Sequence, residues 1–238
     1  MAIRTVQSRT RNSAAYRVFE SIGVLRKGGP KESARKPGEE LEHWRFTSDN
    51  PDVMQAFEDA FGKEPKVLKG VFLAGGETVK DVFDPWCEQW GGGGAGQGTL
   101  QHRCDGEICV LWRDSDGNMI SDPDQLQQHP CPGKCAWVGR LSVIIPELWE
   151  AGHVGVVKVE THSKVDIYQW SDALEEAYKT ATSHNGNGLA GVDFTLSREM
   201  GLVNAPRSGG GKMRVKKCFA VLRAGDIWRS AIDRKSVV

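Results

Sequence analysis

Cys104 and Cys109 in HRCDGEIC, with Cys131 and Cys135 in HPCPGKC, are the residues of this chain whose types and spacing best suit chemistry. The pattern is C-x4-C, twenty-one residues, then C-x3-C. Two close thiol pairs joined by a loop can converge on one tetrahedral zinc. Asp105-Gly106 and Pro132-Gly133 place turn residues inside each pair, which lets the backbone fold tightly there. Four thiolates close the coordination sphere and leave no position for a reacting water, so such a zinc is structural. Free thiols and disulfides are the competing readings. His102 and His129 stand beside the two pairs, and either can replace a cysteine as ligand. With four cysteines at hand, both histidines read as surface residues. Cys87 and Cys218 read as small buried apolar residues.

Other catalytic chemistry finds little support. None of the six histidines begins H-x-E, H-E-x-x-H is absent, and Pro130-Cys131 is followed by three residues before the next cysteine. Those are departures from zinc deaminase and zinc protease patterns. Glu160, His162, Asp166 and Asp172 are enough donors for a hard metal, but at a strand-to-helix junction they read as capping and solvated residues. Gly91, Gly93 and Gly96 in GGGGAGQG satisfy G-x-G-x-x-G in form only. No long strand is expected before the run and a cysteine loop follows it, so it reads as a flexible hinge. The chain is not expected to be an enzyme, although a metal-dependent hydrolase stays open.

The elements that must carry the cysteines follow from periodicity and turn residues. Residues 22–46 read as an extended start. Asn50, Pro51 and Asp52 open a helix whose apolar stripe is Val53, Phe57, Ala60 and Phe61, and Gly62 closes it. KVLKGVFL (66–73) is a short strand, and Trp86 and Trp90 lie in a segment expected to pack on the cysteines. GEICVLW reads as a strand and DSDGN as a turn, a hairpin similar to a zinc ribbon. RLSVIIPEL (140–148) and GHVGVVKVETHS (152–163) read as strands. A helix over 164–181 carries Ile167, Trp170, Leu174 and Tyr178 on one side. VDFTLSREM (192–200) and MRVKKCFAVL (213–222) are the last strands. The expected class is α+β: an antiparallel sheet with one or two covering helices and a four-cysteine zinc-ribbon-like insert. The expected organisation is a basic flexible arm (1–21), an N-terminal part of the α+β domain (22–98), a zinc-binding insert (99–138), a C-terminal sheet and helix (139–223) and a basic tail (224–238).

Charge is unevenly placed although the net is zero. Residues 1–36 and 207–238 each hold nine Lys/Arg and two acids, whereas residues 37–206 hold 13 basic and 27 acidic side chains. Basic ends on an acidic body suit contact with a polyanion or an acidic protein face, or simply keep loose ends solvated. Lys212, Arg214, Lys216 and Lys217 are the candidate contact residues to DNA or protein, beside Arg207 and Arg223. No apolar run approaches the roughly 20 residues of a membrane span, and the Arg- and Ser-rich start lacks a signal-peptide core. Mitochondrial targeting and a basic arm on a cytoplasmic protein both fit that start. Six cysteines without a secretion signal favour a reducing compartment.

Several stretches together resemble one phage protein family. HWRFTSDNPDVMQAFEDAFG, then EQW with a Gly-rich run and LQHRCDGEIC, then CAWVGRLSVIIPELWEAGHVGVVKVETHS, are similar in content and order to recombination directionality factors that partner large serine integrases. A late basic strand, KKCFAV, continues the order, and the likeness covers roughly residues 22–222. The resemblance implies a regulator without chemistry of its own, working in the cytoplasm of the bacterial host. It would bind an integrase already on attachment-site DNA and favour prophage excision over integration, with any DNA contact secondary. The alternative is a zinc-ribbon DNA-binding protein of phage replication or transcription. Steep weakening of binding by salt would favour that alternative.

Overall fold

A computed structural model describes residues 19–30, 38–91, 98–126, 130, 131, 133, 135–206, 211–226 and 228–230. The basic N-terminal arm as far as residue 18, the Gly-rich hinge at 92–97, His129, Arg207 and the tail beyond residue 230 lie outside the described residues. The elements are β1 (Ser21–Gly28), β2 (Glu40–Thr47), α1 (Pro51–Phe61), β3 (Val67–Leu73), α2 (Val79–Val82), β4 (Phe83–Gly91), β5 (Thr99–Cys104), β6 (Cys109–Arg113), β7 (Met119–Ile120), α3 (Pro123–Leu126), β8 (Ala136–Ile144), α4 (Pro146–Glu150), β9 (Val156–Thr161), α5 (Lys164–Asn185), β10 (Asp193–Pro206) and β11 (Lys212–Ala224).

The class is α+β: a large open sheet, covered by a few helices, with the cysteine segment at one end. β8 is its hub. One edge of β8 pairs with β9 over Gly139–Val143. The other edge pairs with β4 over Ala136–Leu141 and with β3 at Val143 and Ile144. From there one wing runs β4-β5-β6-β7 and the other runs β3-β10-β11. β9 continues to β1 and β2. All pairings are antiparallel except β1 with β9, which is parallel. The parallel pair joins strands far apart in sequence, which need no hairpin between them.

The local signals explain the helices. The Asn50 side chain accepts from the Asp52 N–H, Pro51 occupies the first turn, and Gly62 (φ 78°) ends α1 in a conformation that other residues avoid. Ser163 caps α5 by accepting from the Asp166 N–H, and Gly186 closes it in the left-handed region. Ile167, Trp170 and Leu174 are fully buried under the sheet, as their spacing anticipates. The Trp170 indole donates to the Ala220 carbonyl at 2.7 Å, which ties α5 to β11. The main core gathers Trp44, Phe57, Leu68, Leu141, Val157, Trp170 and Phe194.

Three local readings are corrected. RLSVIIPEL is not one strand: β8 stops at Ile144, and Pro146 starts the short helix α4 because proline fits a first helical turn. A nine-residue strand, β4, does precede the Gly-rich run. A strand, β5, rather than a helix follows it, so the nucleotide-loop reading still fails. Finally, β10 extends six residues beyond VDFTLSREM, paired throughout with β11.

Candidate metal centre

The cysteine segment continues the main sheet. Cys87 on β4 lies opposite Cys104 on β5, and Cys104 lies opposite Cys109 on β6. Three cysteines thus form a row across three strands, on one face, because opposed residues of antiparallel strands point the same way. His102 is two residues before Cys104 on the same strand and shares that face. The second pair is brought in by backbone. Pro130 bridges Ile108, and the Cys131 N–H donates to the Glu107 carbonyl at 3.1 Å. Inside the first pair, the Asp105 carboxylate accepts the Glu107 and Ile108 N–H groups, both at 2.8 Å. Gly106 (φ 106°) and Gly133 (φ 75°) take the positive-φ positions that the tight turns require.

The donor atoms that converge are His102 Nε2 and the sulfurs of Cys104, Cys131 and Cys135, all within 4.8 Å of one another. His102 Nε2 is 2.8 Å from Cys135 Sγ. The Cys104–Cys131, Cys131–Cys135 and Cys104–Cys135 sulfur separations are 3.1, 3.2 and 3.6 Å. These approach the roughly 3.8 Å edge of a tetrahedron with zinc–sulfur bonds of about 2.3 Å. One imidazole and three thiols can hold a metal ion, and their number leaves no open coordination position.

Three of the four cysteines expected as ligands are in this group. Cys109 is beside it rather than in it: it packs with Cys87, Cys104 and Leu126 in a small buried cluster. His102 takes the fourth place and is only 2% exposed, so it is not a surface histidine. The sequence held the clue. In LQHRC, a strand period of two puts His102 and Cys104 on one face, whereas counting cysteines alone selects Cys109. Cys87 is buried as expected, but it borders the site, hydrogen-bonded to Cys104.

Crowding and burial make the sulfurs resist ionisation by themselves. Donation of the Cys104 S–H to Cys87, reinforced by burial, raises the Cys104 thiol well above its ordinary value, and burial with the neighbouring sulfurs does the same for Cys135. Burial pushes Cys109 up to about 11. Burial lowers His102, which keeps the imidazole neutral and able to donate a lone pair. The His102 ring stacks on Trp112 at 5.6 Å between centroids, which fixes its plane.

A buried carboxylate braces the strand that carries the site. Glu88 on β4 is 0% exposed. Arg140 on β8 donates to both its oxygens at 2.8 and 2.9 Å, Arg103 on β5 donates at 2.9 Å, and the Trp90 indole at 3.1 Å. Burial opposes ionisation of Glu88, but the two guanidiniums outweigh it and hold its pKa below the ordinary glutamate value. Arg103 also lies over the Trp86 ring at 5.5 Å.

The acid-rich junction does not gather as a metal site among the described residues. Asp166 is buried, receiving Lys27 at 2.9 Å and Thr161 at 2.8 Å, while His162 turns instead to Glu160 at 2.9 Å. Lys212, Arg214, Lys216 and Lys217 are exposed along β11, at the other end of the strand order from β5–β7. No described helix is long and apolar enough to cross a membrane.

Set beside known protein families, the chain matches the Gp3-like, recombination directionality factor-like family over residues 22–216. It belongs to that family. The matched span takes in the entire cysteine segment, the Glu88 brace and all but the last part of the sheet. Comparison with curated proteins found no match, and comparison with solved structures found none. Membership of the recombination directionality factor-like family gives the general kind of function: a regulatory accessory to DNA recombination.

Proposed function

We propose that this protein is a recombination directionality factor that binds a large serine integrase and switches it from integration to prophage excision. The observation that carries the reading is the family match across residues 22–216. The closed donor set of one imidazole and three thiols supports a non-catalytic role, since it offers no open metal position for chemistry. Zinc is the metal this set suits best: soft thiolates with one imidazole in a tetrahedral arrangement. Its work is to hold β5–β7 and the second cysteine pair together, where the local apolar cluster is small.

A factor of this kind acts by binding one integrase arrangement more tightly than the other. Turning a 1:99 balance into 99:1 takes about 5.5 kcal/mol of differential affinity, within reach of one protein–protein patch. Recombination with purified integrase on paired attachment-site substrates tests the reading. Adding the protein should promote joining of the two hybrid prophage-end sites and suppress integration. Unchanged rates in both directions would falsify it. The exposed basic residues of β11 favour one second reading, a zinc-containing DNA-binding protein. That reading requires salt-sensitive binding to bare duplex without integrase.

A further inference from the structure

The β10–β11 hairpin outruns the sheet it belongs to. β10 is paired with β3 only as far as Ser197. The Arg198 N–H still reaches the Lys66 carbonyl at 2.8 Å. Beyond it, Glu199–Pro206 pair with β11 alone, in unbroken register down to Pro206 opposite Lys212. The result is a two-stranded ribbon. Such ribbons are marginal by themselves in water, so a long one is best accounted for by something it grips.

The side chains on the ribbon fit that role. Leu202 is opposite Lys216, Asn204 is opposite Arg214, and Met200 lies one step nearer the body on the same face. Met200 is 52% exposed and Leu202 62%, each a large aliphatic group left in water. Val203, Val215 and the 47% exposed Met213 occupy the opposite face beside Lys217. Between residues 200 and 222 the sequence has five Lys/Arg and no acid. Among the described residues, the side chains of Lys212, Arg214, Lys216 and Lys217 have no hydrogen-bond or ion-pair partner.

Two occupants fit poorly. A second copy pairing along the free edge of β11 would set the cationic side chains of the two strands close together, which is unfavourable and is how edge strands resist self-pairing. Duplex DNA would satisfy the cations but leave Met200 and Leu202 facing phosphate and sugar. Aliphatic anchors flanked by cations match a protein surface with an apolar patch bordered by carboxylates.

We propose that the ribbon formed by Glu199–Pro206 and Lys212–Phe219 is the arm with which this protein grips its protein partner, Leu202 and Met200 entering an apolar patch and Arg214 and Lys216 pairing with carboxylates around it. The partner assigned to it, a large serine integrase, rests on the functional reading above. The test is a titration of full-length, metal-loaded protein against the large serine integrase encoded in the same prophage. It uses Met200→Ser with Leu202→Ser, Arg214→Glu with Lys216→Glu, and Lys179→Glu on α5 as control. Each ribbon pair should weaken binding about tenfold or more, with the control unchanged and melting curves matching wild type. Amides of the ribbon should gain hydrogen-exchange protection in the wild-type complex, a readout that needs no substitution. Ribbon variants that bind like wild type, or a ribbon that gains no protection, would overturn the arm and leave the functional reading standing. Wild-type protein that fails to bind integrase would overturn both. Charge variants that lose only binding to bare duplex would overturn the arm in favour of a DNA contact.

Discussion

His102 Nε2 stands 2.8 Å from Cys135 Sγ, a contact between side chains thirty-three residues apart. It joins the first strand of the cysteine segment to the end of its second pair. It also makes His102, Cys104, Cys131 and Cys135 the group whose donor atoms converge, and we propose these four as the ligand set instead of four cysteines. The distinction is measurable. Cys109→Ser should keep full zinc occupancy after dialysis against a weak chelator. His102→Ala and Cys135→Ser should each weaken zinc binding by about tenfold or more, since each removes a ligand outright. Metal content by ICP checks this, and loss in Cys109→Ser with retention in His102→Ala would restore the four-cysteine set.

Stripping the metal should unfold one end of the molecule only. The apolar cluster around Cys87, Cys104, Cys109 and Leu126 is small, whereas the main core has its own large aromatic and aliphatic population. Metal binding is worth ~10–16 kcal/mol in zinc-finger peptides, enough to decide whether a segment of this size folds. With chelator, amides of β5–β7 should exchange freely while those of β8, β9 and α5 stay protected. Uniform loss of protection would show that the two regions fold as one unit.

Glu88 should matter to stability more than any surface ion pair. Glu88→Gln leaves the Arg140 and Arg103 guanidiniums without their buried counter-charge, at a cost of about 3–5 kcal/mol. The pH dependence has a definite sign. The folded-state pKa of Glu88 lies below its unfolded value, so its contribution is complete above the ordinary glutamate range. It is lost as pH falls through the folded value. Melting curves should therefore separate Glu88→Gln from wild type widely at pH 7 and progressively less below about pH 4.

Trp170 gives a graded test of the helix–sheet seam. Trp170→Ala removes a fully buried indole and should cost about 3–5 kcal/mol in chemical denaturation. Trp170→Phe keeps most of the volume but strands the Ala220 carbonyl that the indole N–H serves, and should cost about 1–3 kcal/mol. Equal losses would mean that the hydrogen bond, not volume, fixes the seam, and a negligible loss in Trp170→Phe would mean the reverse.

Much of this architecture is legible in the residues because its signals are local. Asn50, Pro51 and Gly62 mark both ends of α1, and the spacing of Ile167, Trp170 and Leu174 marks the buried side of α5. Illegible features depend on partners distant in sequence. Nothing near Leu25 indicates that Val159 will lie beside it in a parallel ladder. The period-two clue in LQHRC separates His102 from Cys109 only once β5 is formed and fixes which side chains face the second pair. The outer half of β10 is hidden by its content: Gly201, Asn204 and Pro206 are poor strand formers, and only β11 opposite makes them one.

The parallel ladder between β1 and β9 sets an order of events during synthesis. Ser21 leaves the ribosome early, yet its ladder partner Val156 lies most of the chain later. At about 5–20 residues per second the β1–β2 hairpin therefore waits on the order of ten seconds with its β9 edge open. The β4–β7 wing, by contrast, has its successive neighbours close in sequence and can assemble while that edge is still waiting. That ladder is a long-range closure, β10 must still close on β3 after it, and metal supply to the cysteine segment can precede both.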